Sequence, residues 1–268
     1  MKAEMNNIAV LIPHFNNPKG LANSLASIDE EHPIDVVIVD DGSDEKHICE
    51  NEIKNSFNSG GTIFFLYLEK NKGIEHALNY GLDFIITNNY KFTARLDAGD
   101  LCERNRFYKQ STFLESNPSI KLLGTNVKAQ NEAGEFLYNL KFPEKHSEIK
   151  NRMYVNAMFI HPTVMFVNDI FSVIEKYPLD YHAAEDYALF FEIVNRYETA
   201  NLAESLVIIE INEKGITKTK RKIQVSNRIR IIKENFYFGF WPFYGLIRNY
   251  LLLLVPNQII EKIKILTK

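Results

Sequence analysis

An α/β fold built on a mainly parallel sheet is what this sequence predicts, on three observations. Short apolar runs alternate with segments of helical spacing through the first two-thirds of the chain. Strands alternating with helices at this length form a parallel sheet covered on both faces. Two of the apolar runs end in acidic clusters, Asp40-Asp41-Gly42-Ser43-Asp44 and Asp97-Ala98-Gly99-Asp100. Open parallel sheets bind ligands at their C-terminal strand ends, so both clusters belong to one edge. The 268 residues allow one large domain, or one domain with a short appendage.

The elements follow in order. Residues 8–13 read as a buried strand, apolar and ended by Pro13, and residues 18–27 as a helix with Asn17 as N-cap. Residues 36–39 form a second strand of β-branched residues, and 62–68 a third. Residues 74–86 have helical spacing through Ala77, Leu78, Leu82 and Ile85, and 92–96 form a fourth strand running into Asp97. The pattern then becomes mixed. It gives a helix over 104–115, strands over 121–127, 135–142 and 163–167, a helix over 186–196 and a strand over 206–211. A basic helix over 225–236 is followed by an apolar tail, 240–255, interrupted by Pro242, Gly245, Arg248 and Asn249.

Composition narrows the class. A 46% hydrophobic and 24% charged chain has material for a full core. Two cysteines, Cys49 and Cys102, make neither a disulfide framework nor a cysteine-rich zinc module. No apolar signal-like stretch opens the sequence, which points to a reducing cytoplasm. The longest clean apolar run of the tail, 251–255, is far shorter than a membrane span. The net charge of −3 conceals an asymmetry, because residues 214–268 carry 12 Lys or Arg against Glu234 and Glu261. A basic tail on an acidic body suits an anionic partner.

Each acidic cluster alone reads equally as a turn, since Asp and Gly are good turn formers. In succession, at strand ends, they suggest a ligand: carboxylates for base or ribose hydrogen bonds, and hard oxygen donors for Mg²⁺ or Mn²⁺ bridging a diphosphate. The runs Ile8-Ala9-Val10-Leu11-Ile12-Pro13 and Val37-Ile38-Val39-Asp40-Asp41-Gly42-Ser43 resemble the opening of the family 2 glycosyltransferases of GT-A fold. Asn71-Lys72-Gly73-Ile74 matches that family's Asn-x-Gly element, Arg95-Leu96-Asp97-Ala98-Gly99-Asp100 its metal-binding acidic region, and Ala184-Glu185-Asp186-Tyr187 its late Glu-Asp motif. The resemblance covers about residues 7–235. It departs at Gly99, where the family usually has a carboxylate, and at His14-Phe15, where Thr-Tyr is commoner.

The resemblance implies a GT-A catalytic domain over 1–235, its nucleotide-binding half ending near 100 and its acceptor-binding half spanning 101–235. Residues 236–268 form the basic, apolar helical extension. It implies transfer of a sugar from a nucleotide-sugar donor, UDP-linked by family habit, to a saccharide acceptor with inversion at the anomeric carbon. Asp186 is the base implied, with Glu185 orienting acceptor or base. Pro13, Phe15, Asn16, Asp41, Asn71, Lys72, Arg95 and Asp97 are assigned to the nucleotide-sugar, and Asp100 with Asp97 to Mn²⁺ or Mg²⁺. Lys218 and Arg221 are expected on a loop closing over the donor, and His161 on the acceptor side. Relatives often extend sugars on a polyprenyl diphosphate, and cations mixed with Phe236, Tyr237, Phe238 and Trp241 suit a membrane surface. A peripheral enzyme on the cytoplasmic face of a membrane, making an O-antigen or capsule, is the resulting expectation. No nucleic-acid motif accompanies the basic tail. A non-catalytic carbohydrate-binding scaffold on the same fold is the alternative, with weight from Gly99. A sugar nucleotidyltransferase ranks lower, because residues 8–20 lack a Gly-rich triphosphate loop.

Overall fold

The computed structural model describes residues 7–44, 47–211 and 220–255. β1 (Ile8–His14), β2 (Asp35–Asp40), β3 (Ile63–Tyr67) and β4 (Phe92–Arg95) lie parallel in the order β3-β2-β1-β4. The chain therefore reverses its direction of strand addition between β1 and β4, which opens a crevice at their C-terminal ends. Beyond β4 the sheet becomes mixed. β8 (Met165–Val167) runs antiparallel to β4, followed by β6 (Ile120–Gln130), β9 (Glu198–Glu210) and the two-residue β5 (Leu101–Cys102). β7 (Phe136–Leu140) pairs with the far end of β6.

Both faces of the parallel half are apolar, and side-chain alternation sorts them into two cores. Ala9, Leu11, Val37 and Val39 meet Ala77, Leu78 and Leu82 of α3 (Ile74–Thr87) and Leu189, Phe190 and Ile193 of α6 (Glu185–Arg196). Val10, Ile12, Val36 and Ile38 meet Leu21 and Leu25 of α1 (Pro18–Ala26) and Phe107 and Leu114 of α4 (Arg106–Ser116). This is why the strands read as continuous apolar runs. Gly81 of α3 lets the helix seat on β1: an added Cβ would lie 2.2 Å from Leu11 Cδ1.

The structure extends the sequence reading in several places. α2 (Glu50–Asn55), α5 (His146–Met153) and β5 are too short to show a period, and α2 buries only Ile53. β9 begins at Glu198, eight residues before the apolar stretch starting at Leu206. Residues 198–205 have little strand character, and pairing with β6 supplies their backbone partners across several register shifts. A 3₁₀ turn, His161–Thr163, precedes a strand shorter than expected.

At the C-terminus, α7 (Arg221–Glu234) and α8 (Phe240–Leu254) pack on the body. Gly245 of α8 seats directly on the carbonyl of Tyr154, 2.1 Å from an added Cβ, and Arg248 Nη1 donates to Val155 O at 2.8 Å. The opposite face of α8 is an exposed apolar stripe: Phe240, Phe243, Tyr244, Ile247, Leu251 and Leu254. Two cations of α7 are already engaged. Arg228 donates to Asn156 Oδ1 at 2.8 Å, and Arg230 pairs with Asp180 and Glu234. No described helix is long and apolar enough to cross a membrane.

Candidate active site at the carboxyl edge of the sheet

The first strand end is built on a buried histidine. His14 Nε2 accepts from Asn17 N at 3.1 Å, which places its ring proton on Nδ1, donating to Asp40 Oδ2 at 2.8 Å. Asp40 Oδ1 accepts from Ser43 N at 2.7 Å, and Ser43 Oγ accepts from Asn16 N at 2.9 Å. His14 thus ties the end of β1 to the turn after β2. In the sequence His14 stands out only as a departure from the family pattern. Asn16 adopts a left-handed backbone (φ 51°), and Phe15 stands out beside it at 45% exposure.

Asp41 closes the next turn. Its two oxygens accept from Lys72 N and Gly73 N, both at 2.9 Å, so the Asn71-Lys72-Gly73 turn is hung on the end of β2. Burial raises its carboxyl above the ordinary range against those two bonds. Gly42 is required here: at φ 66° its Cβ would lie 2.3 Å from the Lys70 carbonyl carbon. The turns enclose a cavity of about 510 Å³ lined by Gly42, Ser43, Asp44, Tyr67, Lys70 and Asn71. That size suits a nucleobase and ribose.

The acidic region after β4 sits across the crevice. Arg95 is fully buried and bonds Asp97 Oδ1, while the Asp97 side chain stays 39% exposed. Asp100 is buried, accepts from Glu210 N at 2.9 Å, and its carboxyl is held well above the usual range by burial and then by Asp97. Gly99 between them has φ 122°, a conformation that L side chains rarely adopt. A carboxylate-bearing side chain at this position would be strained in that backbone. Among the described residues no group of three or more His, Cys, Asp or Glu encloses a metal. A cation shared with a diphosphate needs only one or two protein carboxylates, and Asp97 with Asp100 supplies two hard oxygen donors of that kind.

Facing this edge, the first turn of α6 presents Glu185 and Asp186. Asp186 Oδ1 accepts from Tyr187 N at 2.7 Å. Glu185 is buried, its Oε2 has no hydrogen-bond partner among the described residues, and burial and then Asp186 push its carboxyl up to about 8. Burial also raises Asp186, while Arg228 acts in the opposite direction. Asp97 contributes to the rise of both, so the late Glu-Asp pair shares one basin with the strand-end acid. Arg228 lies over the Tyr187 ring at 5.6 Å and keeps a buried Nε without a partner among the described residues. The sequence reads Arg228 as one cation of a basic helix suited to an anionic surface, and nothing in its spacing tells which α7 cation turns inward.

His161 stands behind Arg95. Arg95 Nε donates to its Nε2 at 3.2 Å and the Tyr177 hydroxyl donates to the same atom at 2.7 Å. Burial and then Arg95 hold its pKa well below the ordinary value, so it is neutral. Arg221 donates to the carbonyls of Leu252 and Val255 at the end of α8. Lys218 lies outside the described residues.

Comparison with known proteins accords with this arrangement. The model of the family "Glycosyl transferase family 2" matches residues 9–175. The O-antigen biosynthesis glycosyltransferase WbnJ of Escherichia coli is 31% identical over 146 residues, 53% of this chain and 56% of that protein. The aligned part thus spans little more than half of that relative. An Escherichia coli UDP-Gal:alpha-D-GlcNAc-diphosphoundecaprenol beta-1,3-galactosyltransferase is 27% identical, over 83% of this chain and 79% of that protein. Among solved structures, S. aureus TarS 1-349 in complex with UDP-GlcNAc superposes with a TM-score of 0.65 at 18% identity, over 90% of this chain and 69% of that one. The mannosyltransferase PcManGT of Pyrobaculum calidifontis, in complex with GDP-Man and Mn2+, gives 0.62 at 14% identity, over 94% and 70%. The likeness to both is one of fold, the nucleotide-binding mixed sheet flanked by helices that characterises GT-A enzymes. With a family model covering more than half of its residues, and that family's acidic motifs gathered at one sheet edge, the chain belongs to glycosyl transferase family 2.

Proposed function

We propose that this glycosyltransferase moves a hexose from a UDP-sugar to a saccharide carried on a polyprenyl diphosphate, with inversion, in surface polysaccharide synthesis. The observation that carries the reading is geometric: Asp41 at the end of β2 holds the Asn71–Gly73 turn and Arg95 at the end of β4 holds Asp97, so the family's strand-end motifs meet at one sheet edge, and Asp97 also raises the Glu185 and Asp186 carboxyls. The base and ribose take the cavity lined by Gly42, Tyr67 and Asn71, and Asn16, which bonds Ser43 and Asp44 of that lining, is assigned to the nucleotide with its neighbours Pro13 and Phe15. Asp41 fixes the turn that carries Asn71 and Lys72. Asp97 and Asp100 would hold Mn²⁺ or Mg²⁺, which supplies Lewis-acid stabilisation of the leaving diphosphate when bound.

In this scheme Asp186 takes the proton of the acceptor hydroxyl as its oxygen bonds the anomeric carbon, and the carbon–oxygen bond to the diphosphate breaks on the opposite face. Arg228 favours the ionised form of Asp186. Glu185, protonated near neutrality, offers a hydrogen bond to the acceptor without competing for its proton. UDP, the lipid carrier and O-antigen synthesis are supported by what the similar proteins are named for or bound to. Contact with a membrane is supported by the exposed apolar stripe of α8, and a peripheral position on the cytoplasmic face is part of the proposal.

Calorimetry with UDP, GDP and dTDP, each with Mn²⁺ and with EDTA, tests the proposal. Metal-dependent binding of UDP, abolished by Asp100→Ala, is the expected result. Folded protein that binds none of the three would overturn it in favour of a non-catalytic scaffold.

A further inference from the structure

Arg95 is fully buried, an environment that guanidinium groups seldom enter unless they are bonded throughout. Its bonds account for its position. Nη1 donates to Leu11 O at 2.8 Å and to Leu96 O at 2.9 Å, Nε donates to His161 Nε2 at 3.2 Å, and Nη2 donates to Asp97 Oδ1. A guanidinium is a rigid planar fork. Fixing Nε and Nη1 therefore fixes the direction of Nη2, and with it the carboxylate of Asp97.

The Nε side of the fork depends on groups that no motif contains. His161 Nε2 also accepts from Tyr177 Oη, at 2.7 Å. Tyr177 is buried, and Asn79 of α3 brackets its main chain: Asn79 Nδ2 donates to Tyr177 O at 2.8 Å and Tyr177 N donates to Asn79 Oδ1 at 2.9 Å. The turn bearing His161 is secured separately. Arg106 Nη2 donates to Arg95 O and to Pro162 O, both at 2.7 Å. Tyr177 and Arg95 are thus held at their own main chains, His161 through its neighbour Pro162, and Asp97 at its carbonyl, which accepts from Ser24 Oγ at 3.1 Å.

We propose that His161 and Tyr177 are positioning residues, which set the Asp97 carboxylate for the donor through Arg95. The segment carrying Tyr177 leads into Glu185 and Asp186, so the line joins the acceptor side of the crevice to the donor side. His161 then acts behind the site, in place of the acceptor contact that family resemblance gives it. This rests on the reading of Asp97 as a donor-site residue.

Three variants test it. Tyr177→Phe removes one hydroxyl at nearly constant volume, His161→Leu removes the acceptor nitrogen, and His161→Gln restores an acceptor oxygen. Calorimetry with UDP and Mn²⁺ should show affinity lowered roughly fivefold in Tyr177→Phe, as expected for one lost hydrogen bond. The loss should be larger in His161→Leu and largely reversed in His161→Gln, with UDP binding in EDTA the same in all. The Arg95 Nε–H signal in ¹⁵N NMR, read without ligand, should exchange slowly in wild type and fast in His161→Leu. A merely structural pair would lower melting temperature without this metal-dependent loss, which would overturn the proposal. So would an Arg95 signal indifferent to both substitutions. A wild type with a slow Arg95 signal but no UDP binding would instead sink the donor-site reading, and the positioning role with it.

Discussion

At the scale of single residues, Glu185 and Asp186 are set apart by environment. Both are first-turn acids of one helix, yet Arg228 faces Asp186 while Glu185 Oε2 is buried without a partner among the described residues. The sign of the pH dependence follows. A carboxyl raised from 4.5 to about 8 holds its proton more tightly in the folded state than in the unfolded one. Its contribution to stability is complete below the unfolded pKa and is lost as pH rises towards 8. Glu185→Gln should therefore melt higher than wild type at pH 8.5, by a margin that shrinks at pH 5, in scanning calorimetry. The energy at stake is on the order of a few kcal/mol. Asp186→Asn should keep UDP binding and lose turnover by about 10³-fold or more in a nucleotide-release assay, as for a general base. In wild type, turnover should fall on the acid side at a higher pH than an ordinary carboxylate gives, because burial raises Asp186. Gly99 was legible as a departure from the family pattern. Its physical reason, a backbone at φ 122°, was not, because a sequence does not give a loop's dihedrals.

At the scale of elements, the short strands and the long helices were legible and the short helices were not. β1, β2 and β4 each pack both faces, so their apolar runs identify them without reference to neighbours. The first half of β9 is a strand because β6 lies beside it. The C-terminal helices show the same division. Their composition pointed to a surface of cations and aromatics, whereas the folded chain turns Arg228 inward, pairs Arg230 and leaves the apolar face of α8 outward. The proposed membrane contact would then rest on the exposed Phe243, Ile247 and Leu251 rather than on the basic helix. Replacing these three by Ser should abolish co-sedimentation with vesicles containing anionic lipid and leave UDP binding intact. Unchanged sedimentation would count against the membrane reading, and a shift from dimer to monomer on gel filtration would assign the stripe to a second copy.

At the scale of the whole molecule, the site exists because the sheet brings four distant segments to one edge, and α8 supports it from behind. Tyr154 stacks edge-on against Phe191 of α6 at 4.9 Å between ring centroids and carries Gly245 of α8 on its carbonyl. A chain ending at residue 235 should consequently melt several degrees lower than the full chain in calorimetry; an unchanged melting temperature would make the last helix an independent appendage. The sequence by itself determined the α/β class, the motifs and their order, because burial on both faces of a strand and the demand for turn residues are written locally. It also named Asp97, Asp100, Glu185 and Asp186. Only the tertiary structure decided which atoms face one another: that His14 latches Asp40, that Asp41 holds the Asn71–Gly73 turn, that Tyr177 and His161 stand behind Arg95, and that Arg228 lies over the Tyr187 ring beside Asp186. Those pairs lie 16 to 66 residues apart and are made by side chains whose direction depends on how separate helices seat on the sheet, and no local pattern encodes that seating.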